Sequence, residues 1–553
     1  MYERNRPLKK LRQRLLIVLI LLPAIILQGC LFDLLPYSPP VMPAPIELEV
    51  PPEVEAPPPD EPPRRGVFTL RYVQEPYTMN PIIALNRDNI LLTSLLYESL
   101  FILNESLEAV PLLCSRWETE DNVTFVFEIH PNIQMHDGST LTAEDVVYSI
   151  RQARNRGRHL NKLRGIESVN VTPEEDLSIT IVLDSPNARF TRLLDIPIIK
   201  NNSIEERIPP GTGPYMFPAP NAMRLNRFTN YRHFDELPLS SINLLECYDS
   251  DLTELFDGGT LSLLWDDPTG AFDIRLNRRH EPRFYNTTAL QFIGFNADSN
   301  ILRDPDVRQA IGCSIERQFI VDNIMNVPRP GQAVAAPLAI SPVFDMYDPV
   351  WEQRHMDPLD EMGALLERAK LADYDHDGFL EIMDNYGNIH KFTIDFIVNI
   401  ENSHKLAAAN RIADTLAQFG FDVNVRGLQW GNFIAALEDG DFDMYYGETL
   451  LGADFDLSPL LLPGEDNINY GRTANTTYRP LIEGFLAARN QEEVSYTGGL
   501  LTLAISQNAP FIPILYKRYA IYTSMGVVTG AQPGQSGVFT NFHEWSIDQF
   551  MLS

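Results

Sequence analysis

The chain has 553 residues, 44% of them apolar and 21% charged, with a formal net charge of −30. That length holds several cores, and the acidity excludes a nucleic-acid binder and a protein that adheres to anionic lipid headgroups through charge. Four cysteines, widely spaced and without a CxxC pair, give neither a disulfide framework nor a zinc pattern.

The N-terminus carries Arg4, Arg6, Lys9, Lys10, Arg12 and Arg14 against Glu3 alone. An apolar run, Leu15 to Leu27, follows. Thirteen helical residues reach about 20 Å, short of a hydrocarbon core of about 30 Å. A basic region before a short apolar one is the layout of a secretory signal over 1–29. The run closes on Leu27-Gln28-Gly29-Cys30, which resembles a bacterial lipobox, although Gln28 stands where a small residue is usual. The resemblance implies a lipid on Cys30, each buried methylene contributing about 0.8 kcal/mol to anchoring. Removal of 1–29, with six cations and one anion, takes the net charge to −35. Residues 31–65 hold twelve prolines among acidic residues. Such a segment leans toward polyproline II and reads as a tether, 30–65, of roughly 100 Å at about 3.1 Å per residue.

Beyond Arg65, the run Thr124 to Ile129 reads as a strand, His136-Asp137-Gly138 as a turn, and Thr142 as a helix N-cap with Asp145 as its capping-box partner. Leu141 and Val146 supply a hydrophobic staple to a helix from Ala143. Gly211 and Gly213 mark a tight backbone turn. Asp304 caps a helix with Pro305 at its first position, and Val307, Ala310 and Ile311 form its apolar stripe. "DYDHDGFLEIMD" sets Asp373, Asp375 and Asp377 at loop positions one, three and five, Gly378 at six, Glu381 at nine and Asp384 at twelve. That spacing suits Ca²⁺, but Asp384 replaces the bidentate glutamate, and the flanks read as a helix then a strand. A polar turn with no ion is the preferred reading; Ca²⁺ on Asp373, Asp375, Asp377 and Asp384 is the alternative. The chain carries no GxSxG elbow, HExxH, GxxxxGK[ST] or GxGxxG after a strand, which removes the common hydrolase, nucleotide and zinc readings; the expectation is no enzyme and no cofactor, with an enzyme of unrecognised site as an alternative.

The string "HDGSTLTAEDVVYS" after an aromatic strand closely resembles the extracytoplasmic solute-binding proteins of the peptide- and nickel-binding ABC importer family. "LLYESLF" (95–101), "PGTGPYMF" (210–217), "FIGFNADSNILRDPDVRQAIGCSIERQFIV" (292–321), "NFIAALEDGDFDM" (432–444) and "APFIPILY" (509–516) resemble its other landmarks, covering 66 to about 545. The resemblance implies an α/β fold of two lobes with a hinge, like the periplasmic binding proteins, and an inserted subdomain in the first lobe. Lobe I maps to 66–101, 197–290 and 508–553, the insert to 102–196 and lobe II to 291–507. It further implies a monomeric, lipid-anchored receptor on the extracytoplasmic face of a bacterial membrane. A peptide or other small solute closes between the lobes, and an ABC permease and its ATPase receive it; a sensor, or a binder of nickel chelates or other solutes, is the alternative. Among peptide-binding relatives an aspartate meets the ligand's ammonium group, and Asp454 in "GAD" matches it best, with Glu448 and Asp456 as competitors. Trp430 matches a pocket-lining tryptophan, and Tyr446 is placed toward the cleft.

Overall fold

The computed structural model describes residues 66–552 except 75–76, 272–273, 328, 354–358, 465–467 and 473–476. The signal segment, Cys30 and the proline tether lie outside the described residues, and the described chain from 66 onward forms one unit. The first lobe is built on a four-stranded sheet ordered Thr69–Arg71, Ser241–Leu245, Arg224–Arg227, Tyr215–Met216. The insert adds an antiparallel sheet ordered Cys114–Glu118, Thr124–Ile129, Ser178–Leu183, Ile166–Val171. Phe125, Phe127 and Ile129 alternate inward on the strand that their spacing predicts.

The helix after that strand runs Ala143–Asn155 and carries the capping box. The Asp145 backbone N–H donates to Thr142 Oγ1 at 3.3 Å, and the Thr142 N–H donates to Asp145 Oδ2 at 2.9 Å. Such a cap contributes about 1 kcal/mol. Leu141 and Val146, the staple pair, are both buried. The two glycines of "PGTGPY" are required by a close approach. A Cβ on Gly211 would lie 2.3 Å from the Leu96 carbonyl oxygen, and one on Gly213 2.4 Å from the Leu96 carbonyl carbon. His136 locks this turn. Its Nε2 lies 3.0 Å from the Gly213 carbonyl oxygen, and its Nδ1 accepts from Gly211 N at 3.4 Å, which fixes a neutral tautomer. Burial pulls its pKa down to about 4. One apolar core runs through both sheets of this half.

The largest sheet is ordered Leu263–Asp266, Phe511–Ser524, His280–Phe295, Met444–Leu450, Ile394–Asn399, Val423–Leu428. Its two long strands pair antiparallel from His280↔Ser524 to Asn286↔Arg518, and again from Leu290↔Tyr516 to Gly294↔Phe511. Between these stretches three residues, 287–289, oppose Lys517 alone. On one side of the break Tyr285 and Ile521 pack in the first-lobe core. On the other, Leu290, Phe292 and Tyr516 join a second core, and Ile293, Ile512 and Ile514 a third on the opposite sheet face. A ladder that lapses where its strands change cores is a two-stranded hinge.

Both faces of the second-lobe sheet are therefore covered. The helix Pro305–Cys313 starts at Asp304, whose Oδ1 accepts from Asp306 N at 2.9 Å, and buries Val307, Ala310 and Ile311. Cys114, Cys247 and Cys313 are free thiols; burial pushes Cys114 and Cys313 up to about 12, which makes them inert. Among the described residues no helix is long and apolar enough to cross a membrane.

Candidate ligand cleft

The strands Ile394–Asn399, Val423–Leu428 and Met444–Leu450 of the second lobe are parallel neighbours. In such sheets ligands bind beyond the carboxyl ends of the strands, where helix N-termini also gather. Three exposed apolar side chains stand at that edge: Ile400, Trp430 and Leu450. Trp430 opens the helix Trp430–Asp439 and is 53% exposed. Its backbone N–H donates to Glu401 Oε1 at 2.9 Å, and its ring stacks on Phe433 with centroids 6.1 Å apart. The ring is thus supported by Phe433 while about half of the side chain stays in solvent, an aromatic wall at the strand ends.

Beside this wall lies a charged network. Glu448 accepts from Lys517 Nζ at 3.1 Å, Lys405 Nζ at 3.0 Å and Gln291 Nε2 at 2.9 Å. Lys517, 1% exposed and set in the ladder break, also donates to Asp267 of the first lobe. Burial would raise the Glu448 pKa, but the Lys517 and Lys405 ammonium groups hold it at about 2. Burial likewise lowers Lys517, and Glu448 and Asp267 more than offset it. Two carboxylates and two ammonium groups balance. Nearby, Asn402 Nδ2 donates to the Thr269 carbonyl at 2.8 Å, so the lobes touch here.

Tyr446 differs from its expected place. It is 1% exposed, and its hydroxyl donates to Gln291 Oε1 at 2.8 Å. The sheet is covered on both faces, so alternation turns Tyr446 into the third core rather than toward solvent.

Asp454 follows the same strand but sits in a second interlobe contact. It is 3% exposed, and its Oδ2 accepts from Asn187 Nδ2 at 2.8 Å. Ala188 N donates to the Leu486 carbonyl at 2.8 Å, and Arg189 Nη2 to the Phe485 carbonyl at 2.7 Å. The Arg189 guanidinium lies 4.3 Å over the Phe485 ring, and its Nε reaches the Asp454 carbonyl at 3.4 Å. Arg192 pairs with Asp345 at 2.7 Å. The next residue, Phe455, has φ 58°, a left-handed backbone that costs a side-chain-bearing residue about 1–2 kcal/mol. It is held there by Phe344 at 5.3 Å and Tyr516 at 6.3 Å. Burial and the Asp454 charge push Asp456 up to about 6. Asn187, Arg189, Lys405 and Lys517 complete these contacts. No local motif marks them; their partners lie far away in the chain.

The acidic loop gathers Asp373, Asp375 and Asp377 with Glu381, their ligand-capable atoms within 4.8 Å of one another. Asp384 is elsewhere. It accepts from Tyr386 N, Asn388 N and Nδ2 and lies 3.1 Å from His390 Nε2, closing its own hairpin. The strand Glu381–Met383 begins at position nine, so position twelve is carried past the loop.

Comparison with known proteins covers most of the chain. A family profile, bacterial extracellular solute-binding proteins, family 5 (middle), matches residues 108–465. The chain is 21% identical over 461 residues to a probable deoxycholate-binding periplasmic protein, YgiS, of Escherichia coli K12, covering 76% of this chain and 82% of that one. It is 22% identical over 407 residues to the periplasmic murein peptide-binding protein MppA of the same organism, covering 67% and 72%. The solved structure of the oligopeptide-binding protein AppA from Bacillus subtilis in complex with a nonapeptide superposes with TM-score 0.62 at 18% identity, covering 88% of this chain and all of that one.

Proposed function

The chain belongs to the bacterial extracellular solute-binding proteins of family 5, and on that premise we propose that it is a receptor for short peptides, which close between its lobes for delivery to an ABC importer. The observation that carries the ligand class is the half-open Trp430 ring beside a charge-balanced polar floor, an apolar wall for side chains next to groups that can bond a peptide backbone. The peptide-binding relatives support the same reading. Solute capture of this kind involves no bond cleavage, and peptides incubated with the protein should be recovered intact.

In this reading Asp454 is the acceptor for the peptide's α-ammonium group, which would take the place of the Asn187 amide at Oδ2. A buried ammonium needs such a partner. Cys30 carries the lipid, and the proline tether holds the receptor outside the membrane, within reach of the permease and ATPase.

Thermal melting with added peptides tests this. Peptides with a free N-terminus should raise the melting temperature, because they bind the folded state only. N-acetylation and Asp454→Asn should each weaken the rise. Equal stabilisation by free and acetylated peptides would remove the ammonium–carboxylate pairing. If no peptide stabilises the protein, and mass spectrometry of the material that co-purifies finds a steroid acid or a metal chelate, the ligand class itself is wrong.

A further inference from the structure

The acidic loop has a feature that its spacing alone does not show. Glu381 is 0% exposed, and its Oε1 accepts no hydrogen bond. Its Oε2 accepts from Tyr374 N at 2.8 Å, a carboxylate oxygen of Glu381 joins those of Asp373, Asp375 and Asp377 within 4.8 Å, and Oε1 faces the ammonium that Asp375 and Asp377 hold. A buried carboxylate oxygen without a donor costs free energy and calls for a ligand. The nearest cation is the Lys391 ammonium. It bonds Asp375 at 2.8 Å and also Asp377, but stops 3.9 Å from Glu381 Oε1. One ammonium faces four carboxylates, and its side chain is 60% exposed on a flexible stem.

We propose that this loop is a Ca²⁺ site whose ligands are Asp373, Asp375, Asp377, the Phe379 carbonyl and Glu381, with Lys391 swinging out to solvent when the ion enters. Glu381 takes over the part that position twelve plays in an EF-hand loop, which Asp384 cannot reach. Gly378 at position six has φ +95°, the sharp turn that lets the ligands converge. Five oxygens completed by water suit Ca²⁺, which accepts irregular shells of 6–8 oxygens, better than Mg²⁺, which demands an octahedron.

The site lies away from the cleft. Leu380 N donates to the Gly420 carbonyl and Ile394 N to the Asp422 carbonyl. These bonds put the loop at the amino ends of the strands Ile394–Asn399 and Val423–Leu428, opposite the edge that bears Trp430. The ion would fasten the end of the helix Ser403–Gln418 to the small hairpin, and would not meet the solute.

Calorimetry and melting on EDTA-treated full-length protein decide the matter. Saturable Ca²⁺ binding is expected with Kd between about 10⁻⁵ and 10⁻³ M, at least about tenfold tighter than Mg²⁺, raising the melting temperature by about 2–4 °C at saturation. Glu381→Gln and the exposed Asp375→Asn should each weaken Ca²⁺ at least about tenfold, while Lys391→Met should bind it as tightly or more so. Absence of binding to both the wild type and Lys391→Met overturns the proposal, and so does undiminished binding by Glu381→Gln. Destabilisation of Lys391→Met that Ca²⁺ does not reverse would make Lys391 itself the resident cation, and overturns it too.

Discussion

The two places where the lobes meet are built from different materials. At the cleft floor the contact is Asp267–Lys517–Glu448–Lys405, a chain of flexible side chains with partly exposed carboxylates. At the insert it is Asn187, Ala188 and Arg189 on Asp454, Phe485, Leu486 and Ala488, where backbone carbonyls and a rigid guanidinium set the geometry. The first can exchange partners with a polar ligand that supplies matching groups, although the buried Lys517 ammonium must keep a carboxylate partner. The second offers few substitutes, since carbonyls and a ring arranged around one guanidinium fit little else. The difference assigns adaptability to the floor and discrimination between open and closed states to the clasp.

Four perturbations sharpen or break that division. Arg189→Ala should have the largest effect, weakening the closed arrangement by about 2–4 kcal/mol through lost hydrogen bonds and ring contact. Small-angle scattering should then report a larger radius of gyration, and Arg189→Lys should not restore the wild-type value. Lys517→Met leaves Glu448 and Asp267 without their shared cation. Discounted for their partial exposure, the loss in unfolding free energy should be about 1–2 kcal/mol, read by urea titration. If Lys517→Met opens the molecule more than Arg189→Ala, the division of labour is reversed.

Asp456→Asn acts on the clasp through pH. A carboxyl raised to about 6 from 3.8 is disfavoured in the folded state as a charge, so its penalty grows as pH rises through that window and is absent below about 4. The variant should exceed the wild type at pH 7 by at most about 3 kcal/mol, and that advantage should shrink toward pH 5. Comparing variant with wild type at each pH cancels His136, whose lowered pKa costs stability as pH falls below 6.5. Trp430→Ala should change stability by less than about 0.5 kcal/mol, because the ring is largely in solvent, yet it should reduce peptide-induced stabilisation.

How far the sequence reaches follows the same line. The strand at Thr124, the Thr142–Asp145 box and the Asp304–Pro305 start are decided within four or five residues, and each is found where its pattern sets it. The family likeness carries the two-lobe fold. Pairings across hundreds of residues leave no such trace: nothing in "SPNARF" says that Asn187 will meet Asp454. "MYYG" is apolar without alternation, the mark of a strand covered on both faces, which would have buried Tyr446.

The broken ladder carries a practical consequence. Pairing is in register from His280 to Asn286, lapses over 287–289 and shifts once more between Gln291 and Phe292, so bending is expected to concentrate in this short strap. A single distance then suffices to read it. Tyr248 in the first lobe and Tyr386 in the second, 80% and 92% exposed, stand clear of both grips and offer attachment points for a pair of dyes. Labelled there, the protein becomes an optical gauge of its own occupancy, whatever solute it holds.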